Sequence, residues 1–175
     1  MDIINTSTRL SHSDLVRIIS AINKAIPEFC KAWKIPPVVV SWKKKSSRTP
    51  CIVISDADQP PVYGFHTFLS GYPFGRMYVT SSDINLNSRI LSHEVFEILA
   101  NPEFNKNVDT YLVEVCDPVM LDVYEIDSIQ ISNWVYPSWF DKNGKRPYDK
   151  MDILTKPFET SKGGYSLKMN SGSRV

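Results

Sequence analysis

At 175 residues, 42% of them hydrophobic, the chain is long enough to bury one core without disulfide staples. A net charge of +1 creates no overall field that would select nucleic acid or a membrane surface. The cysteines, Cys30, Cys51 and Cys116, are odd in number and set among apolar neighbours; they read as free thiols in a reducing compartment and argue against a disulfide framework or a cysteine-type zinc site. Met1-Asp2-Ile3-Ile4-Asn5 lacks the basic start of a signal peptide, and no apolar run approaches spanning length. The expectation is a cytoplasmic protein with no membrane partner, or one built into an assembly in the cell that makes it.

In chain order, Ser11 or Ser13 is placed to cap a helix whose Leu15, Ile18, Ile19, Ile22, Ile26, Phe29 and Trp33 recur at helical spacing. Pro27 is expected to kink or divide it, and Pro36-Pro37 to end it. Residues 38–42 and 51–55 read as strands joined by Lys43-Lys44-Lys45-Ser46-Ser47-Arg48, most simply a solvated hairpin loop. Without interleaved aromatics this loop is a poor nucleic-acid site. Residues 62–68 and 76–80 suggest further strands on either side of Gly71-Tyr72-Pro73-Phe74-Gly75. A helix is predicted over 87–100, closed by Asn101-Pro102. Asp109-Thr110 is a plausible cap for a short helix over 111–117, stopped by Pro118; a strand over 111–116 competes, because Tyr, Val and Cys suit one. Residues 123–126 and 129–131 form a hairpin pattern about Asp127-Ser128. Beyond Pro137 an aromatic, turn-rich stretch runs through Trp139, Phe140, Tyr148 and Gly163-Gly164-Tyr165, more apt to cover a core than to bind a ligand. One domain is expected over 1–167, with 168–175 a flexible polar tail.

The chemistry concentrates in Ser92-His93-Glu94-Val95-Phe96-Glu97. On a helix His93 and Glu97 share a face one turn apart, with Glu94 about 100° round from His93. This is the layout of an H-E-x-x-H metal-binding helix with Glu97 in place of the second histidine, a change Zn²⁺ tolerates because it accepts imidazole and carboxylate alike. Leu86, Ile90, His93, Glu97 and Ala100 form one stripe and Leu91, Val95 and Ile98 another, so the helix is expected to be buried nearly all round. Buried carboxylates need partners, and a metal ion, an Arg or a hydrogen-bond network would each supply one. If residues 111–117 are helical, Glu114 and Asp117 face one way and can address the first helix together. If they form a strand, at most one of the two can.

Leu91 to Pro102, then Glu114-Val115-Cys116-Asp117-Pro118-Val119, then Val135-Tyr136-Pro137-Ser138-Trp139-Phe140-Asp141, and finally Pro157-Phe158 with Gly163-Gly164-Tyr165, make an ordered set of motifs over residues 62–165. The set resembles a group of bacterial and phage proteins that look like zincin-type metallopeptidases of the glutamate-ligand kind. Thermolysin-like enzymes share only the outline, an H-E-x-x-H helix followed by a helix bearing a glutamate ligand and a nearby aspartate. The resemblance implies His93, Glu97 and Glu114 as metal ligands and Glu94 as general base. It implies Asp117 as the carboxylate that orients the bound imidazole, or as the ligand in place of Glu114. His66 and Tyr165 are the candidates to donate a hydrogen bond to a developing oxyanion.

The expectation is an α+β, zincin-like fold: an N-terminal helix, a small mixed sheet, a buried active-site helix and an irregular aromatic-rich C-terminal region. One Zn²⁺ would serve hydrolysis of a peptide or protein substrate at an amide bond, in an open cleft containing His93 and Glu94. With two anionic ligands the metal would acidify its water less than with two histidines. The rival is a non-catalytic structural or adaptor protein, such as a virion component, with no metal and its carboxylates satisfied by hydrogen bonds, Arg76, Arg89 or lysines.

Overall fold

Among the residues described by the computed structural model, 1–45 and 50–168, two α-helices and a five-stranded mixed sheet form the body of an α+β fold. The sheet comprises β1 (Asp2–Asn5), β2 (Ser41–Trp42), β3 (Cys51–Asp56), β4 (Gly64–Leu69) and β5 (Tyr72–Val79), in the order β2-β1-β3-β5-β4. The first four in that order run parallel, and β4 is antiparallel to β5 at the edge. Ser70 and Gly71, both at positive φ (52° and 86°), make the tight β4–β5 turn. Ile3, Ile52, Ile54, Met77 and Val79 are fully buried on this sheet.

β1 had no counterpart in the sequence reading. It is four residues long and paired on both sides, so it shows no hydrophobic alternation to detect. Its position also overturns the expected hairpin: β2 and β3 flank β1 and do not pair with each other. Residues 38–40 stay outside the sheet, the backbone of Val40 exchanging two hydrogen bonds of 2.8 Å with the Asn23 side chain. Residues 46–48 of the basic loop, and the tail beyond Lys168, lie outside the described residues.

The first helix, α1 (His12–Trp33), is capped by Ser11, whose hydroxyl accepts from the Asp14 N–H. It runs unbroken past Pro27, contrary to expectation. Pro27 is on the exposed side, so its ring does not interrupt the buried stripe of Ile18, Ile22, Ile26, Phe29 and Trp33. The second helix, α2 (Ile84–Ala100), starts from an Asp83 cap and packs against β4, β5 and α1. It is buried nearly all round, with Asn87, Ser88, Ser92, Glu94 and Glu97 among the enclosed positions.

After α2 comes a small hairpin, β6 (Asn107–Val108) against β7 (Tyr111–Leu112). Asp109, at φ 55°, turns this hairpin and caps no helix. The helix expected over 111–117 is absent, because neighbouring segments take its backbone groups. Leu112 N donates to Leu167 O at 3.0 Å, Val113 N to Lys106 O at 2.9 Å, and Val115 O accepts from Val135 N at 2.8 Å. Only β7 of the competing strand forms, and the chain then bends into a 3₁₀ turn at Asp117–Val119. The expected hairpin follows as β8 (Val123–Ile126) and β9 (Ile129–Ser132), with Asp127 and Ser128 both at positive φ. Ser88 Oγ donates to Gln130 O and Ser92 Oγ accepts from Ser132 N, tying β9 to α2. Trp134 closes the core, edge-on to Phe29. None of the described helices is long and apolar enough to cross a membrane.

Candidate metal centre

Three segments bring all the candidate side chains but Tyr165 to one place. From α2 come His93, Glu94 and Glu97; from β4, His66; and from the stretch leading into the 3₁₀ turn, Glu114, Cys116 and Asp117. On β4 the period of two turns His66 inward while its neighbour Phe65 stays exposed. Asn101, at the end of α2, positions the third segment. Its Nδ2 donates to Val113 O at 3.2 Å while its Oδ1 accepts from Asn105 N and Lys106 N. Tyr165 arrives through Gly164, where a Cβ would fall 2.1 Å from the Pro118 carbonyl oxygen, and its N–H donates to Asp117 O.

Within the cluster Glu97 stands between the two histidines. Its Oε1 lies 3.1 Å from His93 Nε2 and accepts from Cys116 N at 3.4 Å, while its Oε2 lies 3.4 Å from His66 Nδ1. Asp117 Oδ1 is 3.4 Å from His93 Nε2. Glu94 Oε2 is 3.8 Å from His66 Nδ1, and Glu114 Oε2 is 3.7 Å from His66 Nε2. The structure therefore places Asp117 beside His93 and Glu114 beside His66. The helix expected over 111–117 would have put both carboxylates on one face; the bent segment aims them at different histidines.

His66, Glu94, Glu97, Glu114 and Asp117 are each more than nine-tenths buried. His66 Nε2, Glu94 Oε2 and Glu114 Oε2 meet no hydrogen-bond partner. No Arg or Lys among the described residues forms an ion pair with the four carboxylates. Arg76 instead lies over the Phe74 and Tyr78 rings. Groups so enclosed and so poorly partnered carry a large desolvation cost unless something else neutralises them.

The electrostatics reflect that enclosure. Burial pushes the Glu94 carboxyl up to about 8, with the charges of Glu97 and Asp117 adding to it. Burial and the same two neighbours push Glu114 up to about 10. Asp117 is raised too, by burial and then by Glu97. Burial works the other way on His93, but the Glu97 charge and the hydrogen bonds with Asp117 and Glu97 outweigh it and hold the imidazole well above its ordinary value. For Glu97, burial is overcome by His93 and His66, and its pKa falls. Burial and then Glu97 drive the Cys116 thiol well up, making it a weak ligand beside the carboxylates.

The cluster opens to one side. His93, Glu94 and Asp117 line a cleft of about 370 Å³ together with Tyr63, Leu86, Arg89, Ile90, Leu121 and Tyr165. The Tyr165 hydroxyl hydrogen-bonds to Asp117, and burial and then the Asp117 charge raise its pKa. Two contributors escaped the sequence reading. Cys116 approaches His93 and Glu97 closely enough to share an ion, a role its place in Glu114-Val115-Cys116-Asp117 could have suggested. Gly64 has no side-chain signal, yet a Cβ there would fall 2.4 Å from Glu94 Oε1.

His93 Nε2 stands 3.1 Å from Glu97 Oε1 and 3.4 Å from Asp117 Oδ1, and His93, Glu97 and Cys116 each offer one donor atom within 4.8 Å of the others. No family model, curated protein or solved structure matches the chain.

Proposed function

We propose that the chain is a zincin-like, metal-dependent hydrolase acting on a peptide or amide bond, with Zn²⁺ held by His93, Glu97 and Asp117. The observation that carries this reading is a cluster of histidines and carboxylates, all but His93 more than nine-tenths buried, short of hydrogen-bond partners and ion-paired to no Arg or Lys among the described residues, at the wall of an open cleft. The order of helix, small sheet and buried helix supports the zincin-like layout, as does an edge strand, β4, beside the site. The structural-protein reading needs the carboxylates satisfied by hydrogen bonds, Arg76, Arg89 or lysines; Glu94 Oε2 and Glu114 Oε2 meet no hydrogen-bond partner, Arg76 lies over the Phe74 and Tyr78 rings, and no ion pair of Arg or Lys with these carboxylates is seen among the described residues.

When bound, the cation acidifies a water and polarises a carbonyl. Glu94 accepts the water's proton, a task suited to a carboxyl whose pKa lies near 8. The free backbone edge of β4 orients an extended substrate by main-chain hydrogen bonds. Tyr165, half exposed at the cleft wall, donates its hydroxyl proton in a hydrogen bond to the developing oxyanion.

The test is elemental analysis of protein purified without added metal, paired with a peptide-pool cleavage assay of wild type and Glu94→Gln. A bound divalent ion with cleavage lost in the variant is the expected result. A wild-type protein free of metal and inert with Zn²⁺ supplied would overturn the reading.

A further inference from the structure

We propose that the cluster binds a second divalent cation, held by His66 Nδ1, Glu94 Oε2 and Glu97 Oε2, with the Glu97 carboxylate bridging it to the ion at His93. The inference rests on the one-ion reading for its first site and adds the second from His66 and Glu94, with Glu97 shared. Three observations carry it.

Glu97 presents its two oxygens to two different imidazoles, 3.1 Å from His93 Nε2 and 3.4 Å from His66 Nδ1. A carboxylate so placed between two nitrogen donors is the geometry of a bridging ligand, and paired ions of that kind stand about 3.5–4 Å apart. His66, Glu94 and Glu97 also offer one atom each within 4.8 Å of one another, a set that shares only Glu97 with the one around His93.

The second observation is the unpartnered atoms. Glu94 Oε2 and Glu114 Oε2 meet no hydrogen-bond donor, although their residues are more than nine-tenths buried and both lie on the His66 side of the cluster. An ion at His93 alone leaves them as they are. An ion at His66 Nδ1 takes up Glu94 Oε2, and it fixes the imidazole proton on Nε2, pointed at Glu114. Glu114 then orients His66 as Asp117 flanks His93.

The third is charge. Glu94, Glu97, Glu114 and Asp117 supply four formal negative charges with no Arg or Lys paired to them. One dication can hold two of these carboxyls ionised in a buried site; two dications can hold all four. Two imidazoles with four carboxylates are the donors that carboxylate-rich dinuclear centres employ. Glu94 keeps Oε1, the oxygen against Gly64, as its proton-accepting atom.

Metal-free protein titrated with Zn²⁺ and counted by elemental analysis after desalting is expected to saturate at two ions per chain. His66→Gln should drop this to one, His93→Gln should also drop it to one, and Glu97→Gln should weaken both. Because these variants disturb a buried cluster, wild type loaded with Mn²⁺ provides a readout free of mutation. Two bridged ions give an exchange-coupled electron paramagnetic resonance spectrum, not the six-line signal of isolated Mn²⁺. Saturation at one ion, lost in His93→Gln, would overturn the second site and leave the one-ion reading standing. Two ions without magnetic coupling would overturn the Glu97 bridge. No binding of either metal would overturn both.

Discussion

Glu94 presses its carboxylate against the backbone of Gly64: a methyl group added at Gly64 would lie 2.4 Å from Oε1 and 3.0 Å from Cδ. A strand residue and a helix residue thus fix each other, and the absence of a side chain at Gly64 decides where Glu94 Oε1 stands. Gly64→Ala is expected to push Glu94 off this position. Overpacking of this kind costs roughly 1–3 kcal/mol, measurable by urea unfolding, and catalysis should fall further than stability does. Unchanged turnover with unchanged stability would show that Glu94 is not held there.

Replacing His93 and Glu94 should separate binding from chemistry. His93→Ala removes the nitrogen nearest Glu97 and Asp117 and is expected to abolish the ion beside them. Glu94→Gln keeps that ion and should slow hydrolysis by about 10²–10⁴-fold, the usual worth of a general base. Equal metal content in wild type and His93→Ala is the outcome that rules this site out.

Much of this site was legible in the sequence because it rests on local spacing. His93 and Glu97 fall one helical turn apart, and the apolar residues around them foretold a helix enclosed on most sides. Local spacing says nothing about which strand lies beside which. The insertion of β1 between β2 and β3 depends on pairings across tens of residues, and Ile3 and Ile4 alone do not announce them. Residues 111–117 failed for another reason. Their composition allows helix or strand, and the outcome was set by hydrogen bonds to Lys106, Val135 and Leu167, which are remote from the local pattern. His66 was visible as a residue with chemistry, but only the fold shows that it faces three glutamates. Pro73 masked the start of β5, since proline in a run reads as a break.

The pH dependence of the metal-free protein has a definite sign. Glu94 and Glu114, raised to about 8 and about 10, keep protons that unfolded glutamates release near 4.5. The folded state then binds more protons than the unfolded state, so stability falls as pH rises from about 4.5 toward 10. The raised His93 pKa acts in the same direction above 6.5, its contribution fading as the imidazole loses its proton. Bound Zn²⁺ needs the deprotonated carboxylates, so the stabilisation it gives should grow over that window. Chemical denaturation at pH 5, 7 and 9, with and without Zn²⁺, checks both slopes. Metal-free stability that climbs with pH would contradict the assignment.

Tyr165 hydrogen-bonds to Asp117 and is 45% exposed, so Tyr165→Phe should leave the fold intact. An oxyanion donor is worth about 10²–10³ in kcat. The loss is expected in kcat with KM little changed. A loss confined to KM would instead make Tyr165 a substrate-contacting ring.

The central place of β1 bears on how the molecule assembles. Residues 2–5 are made before their partners, residues 41–42 and 51–54, and β4 and β5 join the sheet only through β3. The nascent β1 therefore waits with both backbone edges unpaired until some fifty residues have followed it, while α1, built from local contacts, forms in the interval. Beyond the β4–β5 hairpin every pairing in the sheet joins strands distant in sequence, so the sheet closes around a strand made before its partners.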